Sequence, residues 1–137
     1  MASRLNPYIS FTDNARQAME FYKEVFGGTL TLNTMGEFSA SPEDAEKIMH
    51  AMLETPGGYT IMGADTPTGM EHNPGTNIAV SLSGDDAAEL RRYWEKLADG
   101  GTVSVPLEKQ MWGDEFGMCT DKFGVGWMVN IAAAQQG

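Results

Sequence analysis

The segment His50-Ala51-Met52-Leu53-Glu54 brings together side chains that are capable of acid–base chemistry. Alternate side chains of an extended strand point to opposite faces, so His50, Met52 and Glu54 would share one face. Ala51 and Leu53 are the more apolar set and predict the buried face. An imidazole and a carboxylate on one accessible face can act as a general base pair or as two metal ligands. The structural alternative is that His50 is a half-buried, hydrogen-bonded residue.

Other residues with reactive side chains are weaker candidates. His72 lies in the loop-like sequence EHNPG, where we expect an exposed side chain. Cys119 is the only cysteine, and it sits in a β-prone run without a neighbouring His. We therefore expect it to pack as a small apolar residue, with a nucleophile as the alternative. Asp114 is expected to cap a turn or, alternatively, to bind a ligand, and Asp121 to hold a hairpin turn.

Two amphipathic segments predict the helices that support these residues. ARQAMEFYKEVF and AAELRRYWEKLA both space apolar side chains for one helical face, and a glycine pair follows each of them closely. The pairs begin at Gly27 and Gly100, and the strand-like sequences NPYISF and NIAVSL begin at Asn6 and Asn77. The glycines and the asparagines are separated by nearly the same interval, which indicates an internal repeat. Between residues 41 and 49, SPEDAEKIM predicts a short additional helix.

Each half of the chain therefore has the pattern strand, helix, strand, strand, strand. A β-prone run follows each glycine pair, and a hairpin with turn residues follows that run. This predicts an α+β fold in a single domain, residues 1–137, with two βαβββ modules at about 4–65 and 76–133. A loop over residues 64–75 would join modules related by pseudo-twofold symmetry. We expect each apolar sheet face to pack on its own helix, and the more polar faces to form a curved sheet around a cavity.

Charge and composition disfavour several classes of partner. The chain has 9 Lys and Arg against 19 Asp and Glu, so its formal net charge is −10. Nucleic acid and anionic membranes are unexpected partners, because both are bound mainly through basic side chains. No run of apolar residues predicts a membrane span or a signal peptide. The single cysteine cannot form an intrachain disulfide, and we expect a cytoplasmic location.

Several segments together resemble the vicinal oxygen chelate superfamily, which includes glyoxalase I, bleomycin-resistance proteins and extradiol dioxygenases. They are PYISF, AMEFYKEVFGG, HAMLE, LADGG and WGDEFGMCTDKFGVGWMVN, and the last, which includes Trp127, is the most specific. The sequence is more narrowly similar to the PhnB-like branch. The resemblance implies paired βαβββ modules, and it places WGDEFG beside the pocket. Trp112 and Phe116, with Met118 on the same side, would then line the pocket, unless the two aromatic residues merely close the core.

The resemblance also identifies the positions that hold the metal ion in metal-using relatives. Those positions lie on the first and last strands of each module, which here gives Asn6, Met62, Asn77 and Met128. The interval between the two methionines is close to that between the asparagines, in keeping with a repeat. Relatives usually carry His and Glu there, whereas amides and thioethers suit divalent ions poorly. We therefore expect no metal ion and no other cofactor.

Three hypotheses for the function follow. In the first, the chain binds a small aromatic or amphipathic molecule in a metal-free cavity. In the second, it is a divergent divalent-metal-dependent lyase, isomerase or dioxygenase that uses His50 and Glu54 as catalytic residues. In the third, it is a non-catalytic structural or regulatory dimer, and a homodimer is expected in any case because sheet edges are exposed. The ligand-binding residues expected for the first hypothesis are Asn6, Tyr8, His50, Met52, Met62, Asn77, Trp112, Phe116 and Met128.

Overall fold

The computed structural model describes residues 3–38 and 42–133, and the chain divides into two compact units. Module 1 is Met1–Pro74 and module 2 is Gly75–Gly137. Within the described residues, each module contains one α-helix and one four-stranded mixed sheet, so the α+β prediction with two βαβββ modules is confirmed. No helix among the described residues is both long enough and apolar enough to cross a membrane.

Module 1 follows the predicted order of elements. Its sheet has the order β1-β4-β3-β2, in which β1 runs parallel to β4 and the other pairs are antiparallel. The elements are β1 (Tyr8–Phe11), α1 (Ala15–Phe26), β2 (Thr29–Thr34), a 3₁₀ turn (Met35–Phe38), β3 (Ile48–Glu54) and β4 (Thr60–Asp65).

Module 2 repeats this topology. Its sheet has the order β5-β8-β7-β6, again with one parallel pair, β5 and β8. The elements are β5 (Val80–Gly84), α2 (Ala87–Ala98), β6 (Thr102–Lys109), β7 (Glu115–Thr120) and β8 (Gly126–Ile131).

The core of each module lies between its helix and one face of its sheet. In module 1, the helix buries Ala15, Ala18, Met19, Phe21, Tyr22, Val25 and Phe26, and the sheet contributes Phe11, Ile48, Ala51, Leu53 and Ile61. In module 2, Leu90, Tyr93 and Leu97 of the helix are buried, together with Leu82, Cys119, Trp127, Val129 and Ile131 of the sheet. Burial of each large apolar side chain contributes about 1.5–3 kcal/mol to the free energy of folding. The apolar face of each sheet is therefore held against the helix, and the opposite face remains for other contacts.

The glycine pairs explain why helix and sheet meet in the same way twice. The first glycine of each pair, Gly27 or Gly100, has a positive φ, of 76° or 78°. The second, Gly28 or Gly101, lies against the neighbouring hairpin, where an added Cβ would collide with a backbone carbonyl oxygen. Only glycine therefore allows the chain to leave the helix and enter the next strand along this path.

The repeat runs in a different register from the one that the asparagines predict. Tyr8 pairs with Met62, and Ser81 pairs with Met128, so Tyr8 and Ser81 occupy equivalent strand positions. Asn6 and Asn77 are therefore not equivalent, and both precede the observed strands. β5 starts only at Val80, which pairs with Trp127, the second residue of β8.

The additional helix predicted for residues 41–49 is wrong where the structure describes it. Residues 42–46 form turns and β3 already begins at Ile48, while Ser41, the expected cap, lies outside the described residues. Tertiary hydrogen bonds override the helical pattern here. The Ala45 carbonyl oxygen accepts from the Gly36 N–H at 3.0 Å, and the Asp44 carboxylate accepts from the Thr68 hydroxyl at 2.6 Å.

Candidate functional site

In each module one sheet face packs on the helix, and we call the opposite one the helix-free face. On β3, Ala51 and Leu53 are fully buried against α1, as the sequence predicts. His50 and Met52 are half-buried and Glu54 is exposed, and their side chains project from the helix-free face.

The helix-free face of module 1 brings Tyr8, His50, Met52 and Met62 together. Met62 is the register partner of both Tyr8, on β1, and Met52, on β3. The Tyr8 ring is 54% exposed, and its centroid lies 5.9 Å from that of the His50 ring, with the two planes inclined by 32°. Because β4 runs between β1 and β3, the contact between the two rings spans the strand that carries Met62.

Glu54 is not a direct partner of His50. Four residues separate them along β3, which corresponds to about 13 Å at the usual rise of a strand. They therefore cannot share one proton or one metal ion directly, and any general base pair would have to act at two separate points of a ligand. Glu54 instead lines a groove of about 450 Å³ at one end of module 1, with Arg4, Leu5, Asn6, Thr55, Gly58, Tyr59 and Thr60.

The helix-free face of module 2 carries a second pair of methionines. Met118 and Met128 are direct register partners and both are half-buried. Phe116 lies two residues before Met118 and is also half-buried. The Trp112 ring is 61% exposed and its centroid lies 6.5 Å from that of Phe116, so Trp112 does not close the core.

The two asparagines lie outside the strands, Asn6 before β1 and Asn77 before β5. Asn6 is half-buried and lines the groove with Glu54, whereas Asn77 is exposed. No side-chain hydrogen bond to either amide is found in the described part of the chain.

Aspartates that the sequence offers as candidates mainly hold the backbone. Asp121 is buried and accepts from the Phe123 and Val125 N–H groups, at 2.8 and 3.1 Å, and from the Trp127 indole at 2.8 Å. The prediction that it holds the hairpin turn is confirmed. Asp114 accepts from the Asn130 amide at 3.1 Å and from the Ala133 N–H at 2.8 Å. These two hydrogen bonds, the Asn130 bond first, lower the pKa of Asp114 below 3.8.

Cys119 and His72 both pack against other parts of the protein. Cys119 is buried on the helix side of β7, where burial, together with the Asp121 carboxylate, raises the pKa of its thiol to about 11. A nucleophilic thiol requires a lowered pKa, so the packing role fits and the catalytic alternative does not. His72 is half-buried, not exposed as expected, and its Nδ1 lies 3.4 Å from the Thr66 hydroxyl.

Sequence reasoning gave Met118 little weight and did not single out Asn130, although both lie on the helix-free face of module 2. Asn130 is the register partner of Phe116 and of Ser83. A signal for Met118 was present, because the interval from Met52 to Met118 equals the interval from Met62 to Met128. The interval alone does not show which methionines face each other. The strand register shows that Met52 is opposite Met62 and that Met118 is opposite Met128.

The donor groups at the positions implied by metal-using relatives do not fit a divalent ion. Asn6 and Asn77 offer neutral amides, and Met62 and Met128 offer thioethers, whereas hard and borderline divalent ions prefer carboxylate, imidazole and thiolate. Within the described residues, no three His, Cys, Asp or Glu side chains cluster in a way that suits a metal ion.

The sequence of this chain matches a protein family and an individual relative over nearly its whole length. The family model of the Glyoxalase/Bleomycin resistance protein/Dioxygenase superfamily matches residues 4–129. Protein YjdN of Escherichia coli (strain K12) is 28% identical over 144 residues, which cover 96% of this chain and 97% of that protein.

Two solved structures share the fold over nearly the whole chain. Protein PA1353 from Pseudomonas aeruginosa is 35% identical, with a TM-score of 0.87, and the match covers 97% of this chain and 100% of that one. A Bacillus cereus protein described as a putative 3-demethylubiquinone-9 3-methyltransferase, PhnB protein, is 22% identical, with a TM-score of 0.77, over 95% and 100% of the two chains.

Proposed function

Because the chain belongs to the Glyoxalase/Bleomycin resistance protein/Dioxygenase superfamily, we propose that it is a PhnB-like protein that binds a small aromatic or amphipathic molecule without a divalent metal ion. One observation carries the proposal. The helix-free face of each module has a directly opposed pair of half-buried methionines with aromatic rings beside it.

The chemistry of these faces suits an apolar, flat ligand. Methionine side chains are flexible and polarisable, so they adapt to ligands of varied shape and make favourable contacts with aromatic rings. Tyr8 and Trp112 are more than half exposed and offer ring faces with a polar edge. A few polar groups beside an apolar surface, here His50 and Asn6, are typical of small-molecule sites.

Charge favours a cationic ligand over an anionic one. The strands β3, β4, β7 and β8 contain no Lys or Arg, and the chain carries a formal net charge of −10. The negative electrostatic potential of such a protein raises the local concentration of cations and repels anions. The Bacillus cereus relative is described as a methyltransferase, but this sequence has no glycine-rich methyl-donor loop, and we do not propose that activity here.

The first test measures metal content. The purified protein is incubated with Zn²⁺, Ni²⁺, Mn²⁺ and Fe²⁺, desalted, and analysed by plasma mass spectrometry. We expect no stoichiometric ion. One ion per chain, lost in His50→Ala, would overturn the proposal and favour the metalloenzyme hypothesis with its catalytic His50.

The second test measures binding of acridine orange, an aromatic cation, by fluorescence polarisation. Met62→Gln, which places an amide on the helix-free face of module 1, is expected to weaken binding by about tenfold, the size typical of one lost apolar contact. Met70→Gln is the matched control, because Met70 lies in a loop and is 67% exposed. Equal effects of the two substitutions, or no binding by the unchanged protein, would contradict the proposal.

A further inference from the structure

The two helix-free faces differ at one position that has a direct chemical meaning. His50 precedes Met52 by two residues on β3, and Phe116 precedes Met118 by two residues on β7, so the imidazole and the phenyl ring occupy equivalent places. Module 1 therefore has an opposed methionine pair with an imidazole beside it, and module 2 has the same pair with a phenyl ring. The modules otherwise share strand order and register at this place.

We propose that Met52, Met62 and His50 form a binding site for a soft monovalent metal ion, Cu(I) or Ag(I), on the helix-free face of module 1. The inference is independent of the proposed function, which concerns organic ligands and excludes divalent ions only. It uses two residues of β3 that are not among the positions of the metal ligands in metal-using relatives.

The strand register brings the two thioethers together. Met52 and Met62 are direct partners across the antiparallel pair of β3 and β4, and both are half-buried. The Cβ atoms of directly opposite residues lie about 4.5–5.5 Å apart. Each sulfur is separated from its Cβ by one further carbon, so flexible methionine side chains can direct both sulfur atoms at one ion between them.

The His50 imidazole contacts the ring of Tyr8, a residue that is paired with the same strand as Met52. The Tyr8 ring centroid lies 5.9 Å from that of His50, and Tyr8 is the register partner of Met62. The contact between the two rings therefore spans β4, the strand that carries Met62. In the described part of the chain, no protein group hydrogen-bonds to the His50 ring nitrogens, so a lone pair of the neutral imidazole is available to an ion.

The donor set selects the class of metal. Thioether sulfur is a soft ligand that favours Cu(I), and imidazole binds copper well, whereas Mg²⁺, Mn²⁺ and Ca²⁺ require oxygen ligands. Thioethers, and an imidazole that binds through its lone pair, bring no charge of their own, so a monovalent ion keeps its charge in the site. Glu54, on the same face of β3, and the net charge of −10 both favour a cation there.

The test is an anaerobic titration with Ag(I), and with Cu(I) in competition with a coloured Cu(I) chelator, on protein labelled with ¹³C at the methionine methyl groups. We expect one ion per chain and shifted methyl resonances for Met52 and Met62. The methyl resonances of Met118 and Met128 should stay in place. Absence of a bound ion, or shifts led by the exposed Met49, Met70 and Met111, would overturn the proposal.

Matched variants assign the ligands. Met62→Leu preserves volume and removes the sulfur, and His50→Phe makes the face of module 1 resemble that of module 2. Each is expected to weaken binding by more than about 100-fold, the upper limit for loss of a supporting second-sphere group. Met128→Leu is the control, and it should leave the affinity unchanged. Equal losses in Met62→Leu and Met128→Leu would refute the assignment, and dye binding remains a separate test of the proposed function.

Discussion

Buried carboxylates illustrate how tertiary structure assigns a role to a single residue. Asp65, at the end of β4, accepts from the Ala15 N–H at 2.9 Å and from the Ile48 N–H at 2.8 Å. It thereby supplies the cap that α1 lacks locally, since the Asn14 side chain makes no capping hydrogen bond. In α2, by contrast, Asp86 caps its own helix through the Glu89 N–H at 3.1 Å.

Replacing Asp65 should therefore cost more stability than replacing Asn14. Asp65→Asn is expected to lower the free energy of unfolding by about 2 kcal/mol or more, because the amide would turn its NH₂ group towards a backbone N–H. Asn14→Ala, the control, should cost less than about 0.5 kcal/mol. Urea unfolding followed by circular dichroism measures both, and a larger cost for Asn14→Ala would contradict the capping assignment.

Cys119 should be inert in the folded protein. Burial raises the pKa of its thiol from 9.0 to about 11, so little thiolate is present at pH 8. Ellman's reagent at pH 8 is expected to react with urea-unfolded protein and hardly at all with native protein. The thiol of the unfolded chain ionises at a lower pH than the buried thiol does. The stability that the protonated, buried thiol contributes is therefore complete below pH 9.0 and is lost as the pH rises towards 11. Rapid modification of native protein would refute this.

Residue-scale prediction from sequence succeeded where the cause is local. The alternation of HAMLE identifies the face shared by His50 and Glu54, and the TDKFG turn identifies the role of Asp121. It failed where a partner is distant in sequence. The carboxylate of Asp65 meets the distant Ala15 N–H, and nothing in either segment signals that contact.

At the scale of elements, periodicity and glycine punctuation predicted both helices and the βαβββ order. Strand ends were less predictable, because they depend on a partner strand that is distant in sequence: β5 begins at Val80, which pairs with Trp127 of β8. The turn at residues 42–46 has a helical sequence pattern, but Asp44 bonds to Thr68 instead. Its hydrogen bond from Thr68 is the first cause that lowers the pKa of Asp44.

The packing of α2 on its sheet depends on a glycine in β7. A Cβ on Gly117 would come within 2.8 Å of the Trp94 ring and 2.9 Å of the Leu107 Cα. Gly117→Ala is therefore expected to destabilise the protein by about 1–3 kcal/mol through overpacking. Gly126→Ala, where the nearest atom would be 3.6 Å away, is the control and should be nearly neutral. Chemical denaturation distinguishes them, and a harmless Gly117→Ala would contradict this packing.

At the scale of the whole molecule, assembly depends on the sheet edges that have no neighbouring strand among the described residues. The strand orders leave β1, β2, β5 and β6 at edges, and Leu5 and Ile78, just before β1 and β5, are almost fully exposed. Exposed edges with apolar neighbours favour association with another copy. We expect a homodimer in analytical ultracentrifugation at micromolar concentration. Ile78→Lys should shift the equilibrium towards monomer, Met111→Lys should not, and a monomeric unchanged protein would refute the expectation.

Among the described residues, each module forms its own hydrogen-bonded sheet, and neither sheet contains a strand of the other module. A mutation on the helix-free face of one sheet therefore leaves the backbone pairing of the other sheet intact. The chemistry of one face can therefore differ while the strand pairing is the same, as the imidazole at position 50 and the phenyl ring at the equivalent position 116 illustrate.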